Sequence, residues 1–271
     1  MRNEIQVNEN TIFEHQNVLP AEVIELDKKI AADPNNATLW LERGLLLAKL
    51  LLFPESVEAY SKAIAIAPFQ GILYRHRGHR MLSCMRFAEA CSDFSMASRL
   101  IPDNWDVWYH YGLSYFLLGD YINARKIYEV GYSQSDSQDK LIAITDWLWI
   151  TLNRLGETQL AAEYLDKIKP DFDPGENGNY FQRLMMYKGL VQPEDLLPTK
   201  DKEVKLRVIT TGFGLANYYD VLGDRKKSDE IIDMVLDAGK DNFYFAFGYL
   251  AAMTDKKKRL IEAKKRRDET D

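Results

Sequence analysis

The chain has 271 residues, 46% of them apolar, which is enough for two ordinary domains or for one long repeat array with a continuous core. Its 41 acidic and 35 basic side chains give a net charge of −6, and an acidic body disfavours nucleic acid as a partner. The two cysteines, Cys84 and Cys91, fit a reducing compartment and are expected to be buried apolar groups rather than a disulfide or a metal pair.

The first segment, residues 1–20, is polar and acidic and is predicted to be a flexible N-terminus, unlike a secretory signal. A lone helix is predicted within residues 21–36. The longest apolar stretch, Gly44 to Phe53, is interrupted by Lys49 and is too short to span a bilayer. We therefore predict a cytoplasmic protein with no transmembrane segment.

From residue 37 the sequence repeats with a period of 34. The residues that recur at this interval are Gly44, Gly78 and Gly112; Pro34, Pro68 and Pro102; Trp40, Tyr74 and Trp108; and Tyr60, Phe94 and Tyr128. A fixed period in this range indicates stacked helical hairpins, because one hairpin alone cannot bury its apolar face.

The spacing within each unit is more specific than the period. The first unit reads Trp40-x2-Arg43-Gly44-x2-Leu47, then Ser56-x3-Tyr60-x2-Ala63-x4-Pro68. This resembles the tetratricopeptide repeat, W-x2-L-G-x2-Y followed by A-x3-F-x2-A-x4-P, and the next two units match it in phase. Arg43 and Arg77 depart from the pattern, since the family usually has leucine there. The resemblance implies an all-α fold, an α-solenoid of tetratricopeptide-type helix-turn-helix repeats.

The later units drift from the pattern. Four repeats are predicted over 37–170, an irregular hairpin or insertion over 171–208, and a further degenerate repeat over 209–242. Residues 243–271 are predicted to form a capping helix and a basic tail. A solenoid that stays open would favour a scaffold, whereas one that curls shut around 171–208 would favour a pocket.

In tetratricopeptide proteins, positions 2, 5, 9 and 12 of each first helix line the concave groove where ligands bind. Here the predicted ligand-binding groove consists of Arg75, His79, Tyr109, Leu113, Phe116, Asp146, Asn153, Phe213 and Asn217. An apolar wall with a few placed polar groups is typical of a site for a peptide or a small organic molecule. Arg75 would either bind a ligand carboxylate or pair internally with Asp106 or Asp146.

Three of the four histidines, His76, His79 and His110, lie on adjacent first helices. Helical geometry directs His79 to the groove, and His76 and His110 to another direction. This separation argues against a metal site, and no metal or other cofactor is predicted.

The sequence carries no phosphate loop, no Gly-x-Ser-x-Gly elbow and no Cys-x2-Cys zinc pair. The leading hypothesis is a non-enzymatic interaction scaffold that binds a peptide or protein segment in the concave groove, with no catalytic residue. The alternative is a small-molecule sensor or an enzyme, with a pocket formed by the closed-up groove around Arg75, His79, Tyr109 and Asp146. In that alternative His79 and Asp146 would perform acid–base chemistry.

Two C-terminal segments offer further contacts. Residues 243–250 are apolar and must be covered, either by the preceding hairpin or by a second copy of the chain in a homodimer. Residues 256–267 hold eight bases and one acid. They are predicted to form a solvated terminal helix, and nucleic acid, an anionic membrane and an import receptor are the alternatives as partners.

Overall fold

The computed structural model of the chain describes residues 19–197 and 204–268. Within these ranges it contains thirteen α-helices and two short 3-10 helices, and no β-strand. None of the helices in these two ranges combines the length and apolar character that crossing a membrane requires. Except for Leu19 and Pro20, the predicted flexible N-terminus lies outside the described residues.

The helices follow one another with short connections. The first seven are α1 (Ala21–Ala32), α2 (Ala37–Lys49), α3 (Phe53–Ile66), α4 (Gly71–Ser83), α5 (Phe87–Leu100), α6 (Trp105–Leu118) and α7 (Tyr121–Ser133). The remaining six are α8 (Gln138–Arg154), α9 (Thr158–Asp166), α10 (Gly178–Tyr187), α11 (Val204–Val221), α12 (Arg225–Gly239) and α13 (Phe247–Asp268). The pairs α2–α3, α4–α5, α6–α7, α8–α9 and α11–α12 form hairpins. The first four pack in succession, and α10 packs between α8 of the fourth hairpin and α11 of the last.

A repeated hydrogen bond explains why an aromatic residue and a proline share the 34-residue period. In each of the first three hairpins the aromatic side chain of the first helix donates to the carbonyl oxygen of the proline six residues earlier. The bonds are Trp40 Nε1 to Pro34 (2.9 Å), Tyr74 Oη to Pro68 (3.0 Å) and Trp108 Nε1 to Pro102 (2.7 Å). Tryptophan and tyrosine are interchangeable here because both carry a donor at the end of an apolar ring.

The two arginines that depart from the repeat pattern form ion pairs with neighbouring helices. Arg43 donates to Asp27 of α1 at 2.7 Å. Arg77 makes two bonds to Asp93 of α5, at 2.8 and 2.7 Å, and Asp93 is buried. A two-point guanidinium–carboxylate contact of this kind replaces the apolar contact of leucine with a directional one.

The solenoid closes on itself in its second half. The ring of Trp147 in α8 lies 5.1 Å from Phe116 of α6 and 5.8 Å from Phe213 of α11. Between α8 and α11, α10 adds Tyr187, which stacks on Trp149 at 3.7 Å. Helix α13 then contacts α11, α12 and also α6. We call the side of the hairpins that faces the predicted concave groove the inner face. In the later helices this inner face therefore forms a core instead of an open groove.

The segment between the fourth and the last hairpin contains more regular structure than an insertion would need. It holds α10, flanked by 3-10 helices at Gly175–Asn177 and Pro193–Asp195. The described part of helix α11 starts at Val204, five residues before the predicted start of the last repeat.

Both cysteines have free thiols and are half-buried rather than fully buried. Burial raises the pKa of Cys84 to about 11 and also raises that of Cys91. The two thiols are therefore protonated near neutral pH, which agrees with a packing role.

Gly112 lies where the two helices of the third hairpin approach closely, and a substitution there tests this packing. A Cβ atom added there would lie 2.5 Å from the ring of Tyr128. We expect Gly112→Ala to lower the free energy of unfolding by about 1–3 kcal/mol, because the buried ring has to move. Urea denaturation measures the change. Gly178→Ala is the matched control, since an added Cβ there meets no atom within 4 Å. Equal stability of the two variants would contradict the packing argument.

Candidate functional site on the inner face

The nine residues predicted to line the groove fall into three groups, according to what the structure places against them. His79 lies against Phe247 near the C-terminal end of the chain, and Arg75, one turn away in α4, pairs with Asp106. Five residues are buried where the inner faces meet: Tyr109, Leu113, Phe116, Asp146 and Phe213. Asn153 and Asn217 line a pocket between α8 and α11. That these residues bind a ligand remains a prediction.

The buried group is held by a polar network as well as by aromatic packing. The hydroxyl of Tyr109 accepts a bond from Trp147 Nε1 at 2.9 Å and lies 3.4 Å from the hydroxyl of Tyr180. Asp146 pairs with Arg183 at 2.7 Å, and both side chains are at most 1% exposed. Burial raises the pKa of Asp146 to about 7, although Arg183 opposes that shift. Asp146 thus has its charged partner inside the core.

Arg183 was missed by the sequence reasoning. It lies in α10, within the segment 171–208 that breaks the repeat register, so no repeat position marked it. A lone arginine in a helix gives no sign of burial by itself. The available signal was Asp146, a carboxylate amid the apolar residues of the fourth repeat, because a buried charge needs a partner.

Arg75 and His79 belong to a chain of contacts between the second and third hairpins. Arg75 donates to Asp106 in the next repeat, which agrees with the internal pairing weighed from the sequence. Asp106 also lies 3.2 Å from His110 Nδ1, which bonds the Asp106 carbonyl oxygen at 2.8 Å. The ring of His110 lies 4.4 Å from that of His79.

The separation of His79 from His110 expected from helical faces is therefore wrong. The expectation compared directions within one helix, but adjacent hairpins are rotated against each other, so different positions can meet. Even so, no group of three or more histidine, cysteine or acidic side chains suited to a metal ion occurs among residues 19–197 and 204–268. His79 also lies in contact with His110 and an aromatic ring, whereas Asp146 pairs with Arg183.

The chain's own C-terminal segment, Phe243–Phe247, lies across the inner side of the first three hairpins. The ring of Phe245 meets the edge of Phe53 at 5.3 Å. The ring of Phe247 lies 5.7 Å from His79 and 5.4 Å from His110. These contacts explain why Phe53, at the start of α3, is only 2% exposed.

Two glycines bring this segment into place. Gly239 at the end of α12 receives the ring of Tyr249, 2.3 Å from where its Cβ would be. Gly248 passes the backbone of α11 so closely that a Cβ would lie 2.4 Å from the carbonyl oxygen of Ile209. The apolar stretch 243–250 is thus partly covered within one chain, by the preceding hairpin and by the distant first repeats, while Tyr244 is exposed.

Burial and neighbouring charges shift the histidine pKa values. Burial, with Arg75 nearby, lowers the pKa of His76 to about 4. The pKa of His79 is lowered well below its usual value by burial, His110 and Arg80. For Asp106, burial alone would raise the pKa, but His110 and Arg75 hold it well below its usual value.

The third group, Asn153 and Asn217, lines a pocket of about 90 Å³ between α8 and α11. Its lining residues are Trp149, Ile150, Asn153, Arg154, Asn217, Asp220 and Val221. Arg154, which the repeat positions did not mark, donates to Asn217 Oδ1 at 2.6 Å and also to Asp255 of α13. The amide nitrogens of Asn153 and Asn217 are bonded to carbonyl oxygens of their own helices. Two of the seven lining residues, Asn153 and Asn217, are among those predicted for the groove, and the closure of the solenoid brings them together.

The lowered histidine pKa values predict that acid destabilises the fold. An unfolded histidine titrates near pH 6.5, so below that pH the unfolded chain takes up protons before His76 and His79 do in the fold. We expect the stability they contribute to be fully present above about pH 7 and to decline as the pH falls toward 4. The loss at pH 5 is up to about 2 kcal/mol per histidine.

Urea unfolding at pH 7.5 and pH 5.0 measures this effect. The control is the variant His76→Gln/His79→Gln, which should lose much less stability between the two pH values than the wild type. Equal losses would assign the pH dependence to other groups.

No protein-family model matches the sequence, and the comparison with curated proteins gives no match. Among solved structures, a crystal structure of MamA has a TM-score of 0.52 at 17% identity, covering 70% of this chain and 100% of that one. The APC/C hetero-tetramer Cut9-Hcn1 has a TM-score of 0.52 at 14% identity, covering 88% and 40%. YrrB, described as a TPR protein with an unusual peptide-binding site, has a TM-score of 0.49 at 16% identity, covering 86% and 97%. Together with the three in-phase hairpins, the likeness to MamA and to Cut9-Hcn1 shows that this chain has the tetratricopeptide-repeat fold, an all-α solenoid of stacked helical hairpins.

Proposed function

We propose that the protein is a non-enzymatic interaction scaffold that binds a peptide or protein segment on the inner face of its first three hairpins. The observation that supports this most directly is the position of the C-terminal segment. An aromatic stretch of the chain already lies on this face, against Phe53, His79 and His110. A surface that holds such a segment in cis has the contacts needed to hold a similar one in trans.

The chemistry of the surface defines the ligand class. Phe245 and Phe247 are two residues apart and make edge-to-face contacts, which favour aromatic rings over aliphatic side chains. Arg80 lies over Phe53 at 5.2 Å, and Arg75 is half-buried beside Asp106. We infer a ligand segment with two aromatic residues two positions apart. Its rings would pack on Phe53, His79 and His110, and Arg75 and Arg80 would lie beside them.

The cis segment competes with any ligand added in trans. Because it is covalently attached, its effective concentration at the surface is of millimolar order. A free peptide of micromolar affinity would therefore show little binding to the wild type. Removing the two phenylalanine rings from the attached segment leaves the surface available.

A synthetic fluorescent peptide with the sequence 241–249 tests this proposal by anisotropy. We expect it to bind the full-length variant Phe245→Ala/Phe247→Ala at least tenfold more tightly than the wild type. Tyr244→Ala is the matched control, because Tyr244 is 36% exposed and its removal leaves both phenylalanine rings in place. That variant should behave like the wild type, and a peptide of scrambled sequence should bind none of the three proteins.

Circular dichroism establishes that the double variant is folded, and Phe247→Ala alone replaces it if it is not. Equal affinity of the folded variant and the wild type would overturn the proposal. In the wild type His79 lies against Phe247, while Tyr109 and Asp146 are buried. A small molecule would therefore reach His79 only if the C-terminal segment moved, and Tyr109 and Asp146 only if the packed core opened.

The pocket between α8 and α11 favours a second candidate function, binding of a small molecule. It combines the ring of Trp149 with polar groups of Asn153, Arg154 and Asp220. Its volume of about 90 Å³ suits a small polar compound or one side chain of a peptide.

Filling the pocket with a larger side chain tests this second candidate. Val221 lines the pocket, and Leu222 beside it is 61% exposed and does not. If a compound copurifies in the pocket, native mass spectrometry should show its mass on the wild type and on Leu222→Trp but not on Val221→Trp. A mass retained by all three proteins places the compound elsewhere, and no added mass argues against a resident small molecule.

A further inference from the structure

The C-terminal half of α13 presents a basic face to solvent. Lys257, Lys264 and Lys265 are exposed along it. Between these lysines, Leu260 is 61% exposed and Ile261 is 49% exposed. At about 100° per residue these five side chains fall within an arc of roughly 140°, so they form one outward surface.

The opposite side of the helix fixes this orientation. Asp255 and Arg259 are buried, and Arg259 pairs with Asp229 of α12. Lys256, at the side, pairs with Asp233 of α12 at 2.7 Å. The inward side is therefore held by ion pairs, which leaves the outward lysines and the two aliphatic residues available to a partner.

This surface is the exception in an acidic protein. Residues 256–267 carry +7, and a net charge of −6 leaves −13 for the rest of the chain. Three acids follow at 268–271, so the whole stretch from 256 to the end still carries +4. An anionic partner would be attracted to this end of the molecule and repelled by most of the remainder.

We propose that the face formed by Lys257, Leu260, Ile261, Lys264 and Lys265 binds an anionic phospholipid surface. Each lysine close to such a surface adds to the electrostatic attraction. Leu260 and Ile261 distinguish this partner from a nucleic acid, because a bilayer offers an apolar phase below its headgroups, whereas a phosphate backbone does not.

The binding is peripheral and reversible. Two aliphatic side chains bury too little apolar area for stable insertion. The acidic body does not prevent contact, since charges beyond about 8 Å are largely screened at physiological salt. The basic half of the helix extends for about 15 Å, at 1.5 Å per residue, so the contact covers only a few headgroups.

Flotation of the full-length protein with vesicles tests the proposal. We expect binding to vesicles of phosphatidylcholine with 30% phosphatidylglycerol, and none to vesicles of phosphatidylcholine alone. Raising the salt to 0.5 M should weaken it at least tenfold. Binding that is equal for the two lipid compositions would overturn the proposal.

Two charge-reversal variants locate the binding face. Lys257→Glu/Lys264→Glu/Lys265→Glu should lose at least tenfold in binding. The matched control, Lys49→Glu/Lys62→Glu/Lys126→Glu, changes the net charge equally through exposed lysines of α2, α3 and α7, and should bind like the wild type. Equal losses in the two variants would assign the binding to net charge and overturn the proposal.

A further variant separates a membrane from a nucleic acid. Leu260→Ser/Ile261→Ser should bind anionic vesicles several-fold more weakly while its salt dependence is retained. If this variant binds vesicles as the wild type does, and the wild type binds a 30-nucleotide single strand more tightly than it binds vesicles, the face is a nucleic-acid site and the proposal fails.

Discussion

Each helical hairpin in this chain has an apolar face that it cannot bury alone, and the architecture follows from how those faces are covered. In the first three hairpins the neighbouring repeat covers them, with Phe94 and Tyr128 fully buried at the helix crossings. The same requirement holds for the inner side and for the two ends of the stack. A short solenoid has few neighbours to supply that cover, so the chain uses its own later segments.

The inner face therefore has two different characters along the molecule. In the second half, Phe116, Trp147 and Phe213 meet, and the buried pair of Asp146 and Arg183 closes the core. In the first half, the part of the chain that the structure describes covers this face with a short aromatic segment, Phe243–Phe247. A packed core cannot open without a large loss of contacts. The half-buried rings of Phe245 and Phe247 make fewer contacts, so the rings of a ligand can replace them. This contrast locates the proposed binding surface in the first three hairpins.

Helix α13 connects the two surfaces for which we propose partners. Its first residue, Phe247, touches the histidines of the inner face, and its last turns carry the outward lysines. The helix is anchored between them by Arg154 and Arg259, both of which contact Asp255. Because one helix carries both surfaces, a partner at its basic end and a ligand on the inner face would be held by one element of the fold.

The fold class could be predicted from the sequence because the constraint behind it is local and repeated. Gly44, Gly78 and Gly112 each mark the helix crossing of one hairpin, so the same constraint recurs three times. The tryptophan or tyrosine that donates to the preceding proline is only six residues from it in the chain. The place of each side chain around its own helix was also accessible from the sequence, since its direction within one helix depends only on its position in that helix.

Only the tertiary structure decided which inner positions stay near the surface. That outcome depends on the rotation accumulated between hairpins and on α10, whose segment carries no repeat signal. Arg183 reaches Asp146 across 37 residues, and Phe245 reaches Phe53 across 192, so no pattern within a repeat reports either contact. Likewise the residues from 243 were visibly in need of cover, but the surface that covers them exists only after the solenoid has closed. The sequence by itself determined the repeating unit and its inner side, because these depend on short-range geometry. The closure of the solenoid, which depends on contacts between distant segments, determined which parts of that inner side are buried.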